Sequence, residues 1–263
     1  MSSDPLYSSS RNISFAWAEA FLRLNEPGVS EISPAVIVVT EFAGGVATED
    51  HTIRDLLDSE LMRLGQRSCE DVASTIFPIS MWNPSIPDNA EQLFRRYERV
   101  WPSVKHRDRA NNRGNYFRRL TAYHPDGSSN APVNQLQHVI ETFRRGNHRR
   151  SALQAAVFDP TRDHTHNRIL GFPCLQQVGF ALVGDSGLAV TGFYPLQYLF
   201  EKAYGNYLGL CRLGGFMAAQ MGLTLVKMTC VASALKLGNR SKTDLRTFAV
   251  NLRRYLVKCG AKG

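Results

Sequence analysis

The chain has 263 residues, 43% of them hydrophobic and 21% charged, with a formal net charge of +8. An apolar fraction near the globular average excludes a disordered chain, and no apolar run approaches the ~20 residues that span a bilayer. Five scattered cysteines without a Cys-x-x-Cys pair exclude a disulfide framework and a zinc knuckle, and with no basic-then-apolar leader pattern the expected compartment is a reducing cytoplasm.

In chain order, residues 1–12 are Ser-rich and read as a flexible lead-in, and residues 13–263 as a single domain undivided by repeats or linkers. Ser14 is placed to cap a helix through residue 24, with Phe15, Ala18, Phe21 and Leu22 on one face and Glu26-Pro27-Gly28 ending it. The β-branched run 35–39 reads as a buried strand. Asp50 or Thr52 starts a second helix with the apolar stripe Ile53, Leu56, Leu57, Leu61 and Leu64. A loop at 78–87 leads to a third, short helix near 89–100; residues 104–113 are too polar to pack, and Pro125-Asp126-Gly127 is a turn.

Residues 132–145 predict a helix with Leu136, Val139, Ile140 and Phe143 inward, and 151–158 a strand. Strands at 178–183 and 188–193 flank the hairpin signal Gly184-Asp185-Ser186-Gly187. Residues 197–222 form a long apolar helical stretch rich in Gly and Ala, 223–231 a strand, and 242–258 a basic terminal helix. The expected class is α+β, a mixed β-sheet packed with helices that include a long central one.

Charge is uneven. Between Arg95 and Arg150 thirteen Lys or Arg stand against four acids, and twelve of the thirteen are Arg. Arg presents a planar fork matched to phosphate or carboxylate oxygens, so either a solvated basic face or an anionic partner such as a nucleic acid or other polyanion fits. No RNP motif, zinc finger or helix-turn-helix accompanies it. His164-x-His166 beside Asp163 lacks further ligands in view, and no metal site is predicted.

The most pointed local feature is Gly171-Phe172-Pro173-Cys174. A cysteine just after proline at a strand start has fixed backbone geometry, which suits a nucleophile if nearby cations favour the thiolate, and equally suits a packed structural thiol. The wider pattern reads Gly114-Asn115-Tyr116-Phe117, then Asn134-Gln135-Leu136, His148-Arg149-Arg150, Phe172-Pro173-Cys174 and Tyr204-Gly205-Asn206. In order and spacing it resembles thymidylate synthase and the pyrimidine (deoxy)nucleotide hydroxymethylases, over roughly residues 53–234. The resemblance implies a thymidylate-synthase-like fold, a homodimer, a pyrimidine nucleotide substrate and 5,10-methylenetetrahydrofolate as one-carbon donor. It implies that the Cys174 thiolate adds to C6 of the base, that Arg149 and Arg150 bind the phosphate across the dimer interface, and that Asn206 reads the base edge. Tyr116 would line the pocket, and Glu60 would organise water and proton transfer.

The chain departs from that pattern at several anchors. Leu175 stands after the cysteine in place of His, and the Arg-Ser-x-Asp segment falls on Tyr194-Pro195-Leu196-Gln197-Tyr198. The His-x-Tyr pair that holds the sugar falls on residues 234–238, no phosphate-loop Arg stands between Gly28 and Pro34, and the Gln five residues past the cysteine is Gly179. Gln176 or Gln177 can substitute for that amide, and Gln197 can present an amide where the family presents a carboxylate. Each lost charge-assisted bond weakens binding by about 1.5–3 kcal/mol, so ordinary deoxyuridylate is expected to be a poor substrate. Two readings remain: a divergent C5-modifying transferase on another pyrimidine, or a degenerate relative that binds a nucleotide or nucleic acid or scaffolds a partner.

Overall fold

The computed structural model describes residues 2–86, 89–124, 131–166 and 172–260; Pro125-Asp126-Gly127 and Gly171 lie outside the described residues. The chain begins with β1 (Ser2–Ser3), β2 (Leu6–Ser10), α1 (Ile13–Leu24), β3 (Glu31–Ile32) and β4 (Ala35–Val39). A small hairpin, β5 (Phe42–Ala43) and β6 (Val46–Ala47), precedes α2 (His51–Arg63), α3 (Cys69–Ile76), α4 (Ala90–Arg107), α5 (Tyr116–Thr121) and α6 (Gln135–Arg144). There follow β7 (Gln154–Ala156), α7 (Pro160–Asp163), β8 (Gln177–Val183), β9 (Gly187–Tyr198), α8 (Tyr204–Met221), β10 (Thr224–Lys236) and α9 (Arg246–Lys258). The class is α+β, a mixed sheet packed against helices.

The sheet is built outward from β10. Its residues alternate between core and surface, and it pairs in parallel with β9, with Cys230 opposite Gly192, and antiparallel with β4, with Thr229 opposite Val38. β8 and β9 form the expected antiparallel hairpin, and β7 adds to β8. Parallel strands need a long crossover, and α8 supplies it between β9 and β10.

That crossover helix is apolar on all sides and buried along nearly its whole length, the pattern of a helix enclosed by protein. Gly205 and Gly209 let it approach α3: a Cβ at Gly205 would lie 2.6 Å from the Cys69 carbonyl oxygen. On the opposite side Gly214 meets Leu225 and Val190 of the sheet. Gly222, at φ 71°, ends the helix in the left-handed conformation that glycine adopts without strain. Around this axis Trp17, Phe21, Phe200 and Phe248 pack as a cluster of rings at 5.1–6.3 Å, closing the core between α1 and α9.

Several elements differ from the sequence reading. Residues 6–10 are not a loose lead-in: β2 pairs in parallel with β4 and Ser8 is buried, because ladder partners, not composition, hold a Ser-rich segment. Asn12, not Ser14, caps α1 by accepting from the Ser14 N–H at 2.7 Å, and the Ser14 hydroxyl instead meets Tyr204 Oη at 2.7 Å. The Ser68-x-x-Asp71 capping box starts α3, a helix the periodicity passed over. Residues 104–107, expected to be unpacked, continue α4. Residues 197–198 belong to β9, and a π-helical turn (Leu199–Ala203) separates them from α8.

The α3–α8 contact leaves no room for a side chain. Gly205→Ala is expected to lower the unfolding free energy by about 2 kcal/mol, read as a shifted urea midpoint; an unchanged midpoint would show that the contact is not close-packed.

Candidate functional site

A cavity of about 480 Å³ opens at the C-terminal end of β9, within the size range of small-ligand pockets. β9 gives it Tyr194 and Gln197, the π-helical turn gives Lys202, and the first turn of α8 gives Asn206. Tyr116 enters from the start of α5, and Phe172, Pro173 and Cys174 from the segment leading into β8. Val72 of α3, Arg67 just before it, and the turn at Ala110 and Asn111 complete the wall.

Each polar group is held differently. Gln197 is buried, and its amide is fixed by the Tyr207 hydroxyl, which donates to Oε1 at 3.3 Å, and by the Cys230 sulfur. Asn206, 4% exposed, makes no side-chain hydrogen bond among the described residues. Tyr194 is fully buried and its hydroxyl has no partner among the described residues. Buried polar groups are nearly always paired, so the unpartnered Tyr194 hydroxyl, with the Asn206 amide on the same cavity wall, marks a place that a ligand's polar edge would satisfy.

Cys174 is exposed to the cavity. Burial pushes its thiol above the ordinary range, and the Lys202 ammonium opposes that shift. Lys202 is itself lowered, first by burial and then by the like charge of Arg67, while Glu201 and the thiol raise it. The Tyr116 hydroxyl lies against the backbone of Cys174 and Leu175, and burial keeps it protonated far above the ordinary tyrosine range.

The wall that carries Tyr116 is anchored from behind. Arg119 of α5 makes a buried two-pronged pair with Asp163, at 2.6 and 3.0 Å, and also donates to the Val157 and Gly114 carbonyls. Asp163 is thereby tied up beside His164 and His166, and among the described residues no group of three or more His, Cys, Asp or Glu is placed to hold a metal ion. Burial works to raise the Asp163 carboxyl, but the Arg119 and Asp159 N–H bonds outweigh it and hold it below the usual range.

Of the residues singled out from sequence, Cys174, Tyr116, Gln197 and Asn206 line this one cavity. The other four are elsewhere. Glu60 is bound by Arg63 at 2.6 and 2.8 Å on α2 and is not part of the cavity wall; the i,i+3 pair accounts for it as a helix-surface acid. Gln177 is exposed and its amide donates to Gln154 across the β7–β8 pair. Arg149 and Arg150 are exposed around a short 3-10 turn and line no part of the cavity within this chain. The sequence reading missed Tyr194 as a site group, Arg67 and Lys202. Arg67 adjoins the overlooked helix α3, whose Ser-x-x-Asp box was its signal, and Lys202 was absorbed into a stretch read as continuous apolar helix.

No protein-family model matches the chain, and comparison with curated proteins finds no match. No helix among the described residues is long and apolar enough to cross a membrane.

Two outcomes follow from this geometry. Breaking a buried ion pair from one side leaves an uncompensated charge, so Asp163→Asn is expected to lose about 3–5 kcal/mol at neutral pH. Because the folded carboxyl is depressed, its contribution is present above the ordinary carboxylate pKa and is lost as pH falls through the lower folded value. The gap between wild type and variant in urea melts therefore narrows on acidification, and a pH-independent gap would contradict the assignment. In a Cys259→Ser background, Cys174 should react with iodoacetamide more slowly at pH 7 than a free thiol, and Lys202→Met should move the pH midpoint of alkylation higher still; an unmoved midpoint would remove Lys202 as the cation acting on the sulfur.

Proposed function

We propose that this chain is a divergent thymidylate-synthase-like transferase that modifies C5 of a pyrimidine through a cysteine adduct at C6. The observation that carries the reading is convergence: Cys174, Tyr116, Gln197 and Asn206, drawn from motifs spread over 91 positions of sequence, line a single cavity. In this reading the Cys174 thiolate bonds to C6 and the C5=C6 electron pair makes C5 nucleophilic. C5 then bonds to the donor's one-carbon unit, and the C5 proton passes to water as the donor nitrogen leaves with its bonding pair. Addition of hydride (methyl product) or water (hydroxymethyl product) to the exocyclic methylene so formed expels the Cys174 thiolate and restores the C5=C6 double bond. Lys202 favours the attacking anion, and the free amide of Asn206 with the Tyr194 hydroxyl offers partners to the base edge.

A methylenetetrahydrofolate-type donor would supply the electrophilic carbon. Phe172, Val72 and Leu196 give the cavity an apolar wall, and with the unpartnered Tyr194 hydroxyl such a wall fits a polar heterocyclic ring. The homodimer belongs to the same reading: Arg149 and Arg150 are exposed and make no ion pair among the described residues, which leaves them available to a second copy's cavity. Thr191 and Phe193 on β9 are exposed on the sheet face away from α8 and give that copy a surface to cover.

A second reading, nucleotide binding without turnover, is favoured by one observation. No carboxylate lines the cavity among the described residues, and burial raises the thiol that must ionise.

Incubation with 5-fluorodeoxyuridylate or 5-fluorodeoxycytidylate plus methylenetetrahydrofolate, followed by intact-protein mass spectrometry, separates the two. The transferase is expected to gain the combined mass of nucleotide and folate, and Cys174→Ser to gain none. Nucleotide binding in calorimetry without a covalent mass would establish the binder instead.

A further inference from the structure

The cavity beside Cys174 holds an amine that the protein leaves without a partner. Lys202 lines the cavity from the π-helical turn and is half-buried. Its side chain makes no ion pair or hydrogen bond among the described residues. A lysine at such a place ordinarily extends its head to open water or pairs with a carboxylate. The neighbouring carboxylate, Glu201, is committed to the loop after β10. Its Oε1 accepts from the Asn239 N–H at 2.8 Å, and its Oε2 packs against Gly238.

The rest of the wall favours the neutral amine. Val72, Phe172, Pro173 and Leu196 make it apolar, and no carboxylate lines it among the described residues. The other titratable groups there are Arg67, Cys174, Tyr116, Tyr194 and Tyr198. Arg67 is held by Asp108 and places a like charge near the amine. Burial and then Arg67 lower the proton affinity of Lys202, while Glu201 and the thiol oppose them. An amine desolvated in an apolar pocket or set beside another cation is the kind that forms Schiff bases with carbonyl compounds.

We infer that Lys202 is a second covalent centre in this cavity, an amine that captures a small aldehyde as an imine. The nitrogen bonds to the carbonyl carbon, and the carbonyl oxygen takes up the displaced electron pair and a proton. Water then leaves as the nitrogen pair closes the C=N bond, and the amine proton passes to solvent. Nothing is oxidised or reduced. The aldehyde is uncharged and apolar beyond its carbonyl, because the wall is apolar and its one other cation among the described residues, Arg67, is already bonded to Asp108. The inference goes beyond the pyrimidine reading and stands on the cavity alone.

Lys242 provides an internal comparison. Burial lowers its proton affinity too, but its ammonium donates to the Glu26 and Val29 carbonyls and it does not line the cavity. Lowered proton affinity without an open cavity is therefore present in the same chain.

The test incubates the full chain with propanal and sodium cyanoborohydride at neutral pH, which reduces any imine to a stable propylamine, and maps the modified peptides by mass spectrometry. The chain has seven lysines. Lys202 is expected to label at least about tenfold faster than any of the other six, since each unit by which proton affinity falls gives tenfold more free amine. The α-amine, which titrates near neutrality, labels as well and is resolved by the mapping. Arg67→Met removes the like charge and should slow labelling of Lys202 several-fold while leaving the other lysines unchanged. Lys202→Arg, which keeps the cation but has no imine chemistry, should lose the fast site and still melt cooperatively.

Labelling of Lys202 no faster than the exposed lysines, equally fast labelling of Lys242, or a fast site that survives in Lys202→Arg would overturn the inference. A fluoropyrimidine adduct on Cys174 without propanal capture at Lys202 would leave the transferase reading standing and remove this one. Capture at Lys202 without any nucleotide adduct would do the reverse, keeping the imine centre and removing the pyrimidine chemistry.

Discussion

The close seating of α8 between α3 and the sheet is the constraint on which the rest of the structure depends. Gly205 and Gly209 remove the side chains that would hold the helix off α3, and Gly214 does the same towards Leu225 and Val190. A helix so enclosed has few alternative positions, because packed interiors resist displacement of even a methylene. Its first turn therefore presents Asn206 at a fixed place beside the end of β9, and the π-helical turn before it fixes Lys202. Extra-residue turns of this kind re-aim side chains at the start of a helix. The cavity exists because β9 ends, the chain loops once, and α8 turns back beneath it.

The second wall is positioned by a different kind of force. Arg119 and Asp163 meet in a site where both are almost fully buried, at 3% and 0% side-chain exposure. Such a pair contributes modestly to net stability against an apolar substitute, yet is strongly directional once formed. It ties α5, which carries Tyr116, to the segment after β7, while Gln135 of α6 bridges the Arg119 and Ala156 carbonyls. Apolar packing thus sets one side of the cavity and a polar lock the other. Between them sit a thiol, an ammonium, the Asn206 amide and the Tyr194 hydroxyl, which has no hydrogen-bond partner among the described residues.

Elements with a strong period or a chemically specific signal were legible in the sequence. The strand at Ala35–Val39, the hairpin around Gly184 to Gly187, and the inward faces of α2 and α6 follow from side-chain alternation and turn chemistry alone. Cys174, Tyr116, Gln197 and Asn206 were visible as residue types in a familiar order. Elements held by partners elsewhere in the chain were not. β2 is a run of serines that only β4 makes into a strand, and α3 is too short for its period to stand out against its flanks.

Composition and local pattern by themselves determined the α+β class, the buried character of the long central helix and the concentration of arginine in the middle of the chain. Only tertiary structure decided which charges are free. Glu98 has the same carboxylate whether it faces solvent or Arg118, and Asp163 whether free or held by Arg119; those partners lie at a distance along the chain that no local rule encodes. Convergence is likewise non-local, since the cavity gathers Arg67, Tyr116, Cys174 and Asn206 from well-separated segments. Their meeting is the consequence of strand pairing and helix packing, which fix distance in space and not in sequence.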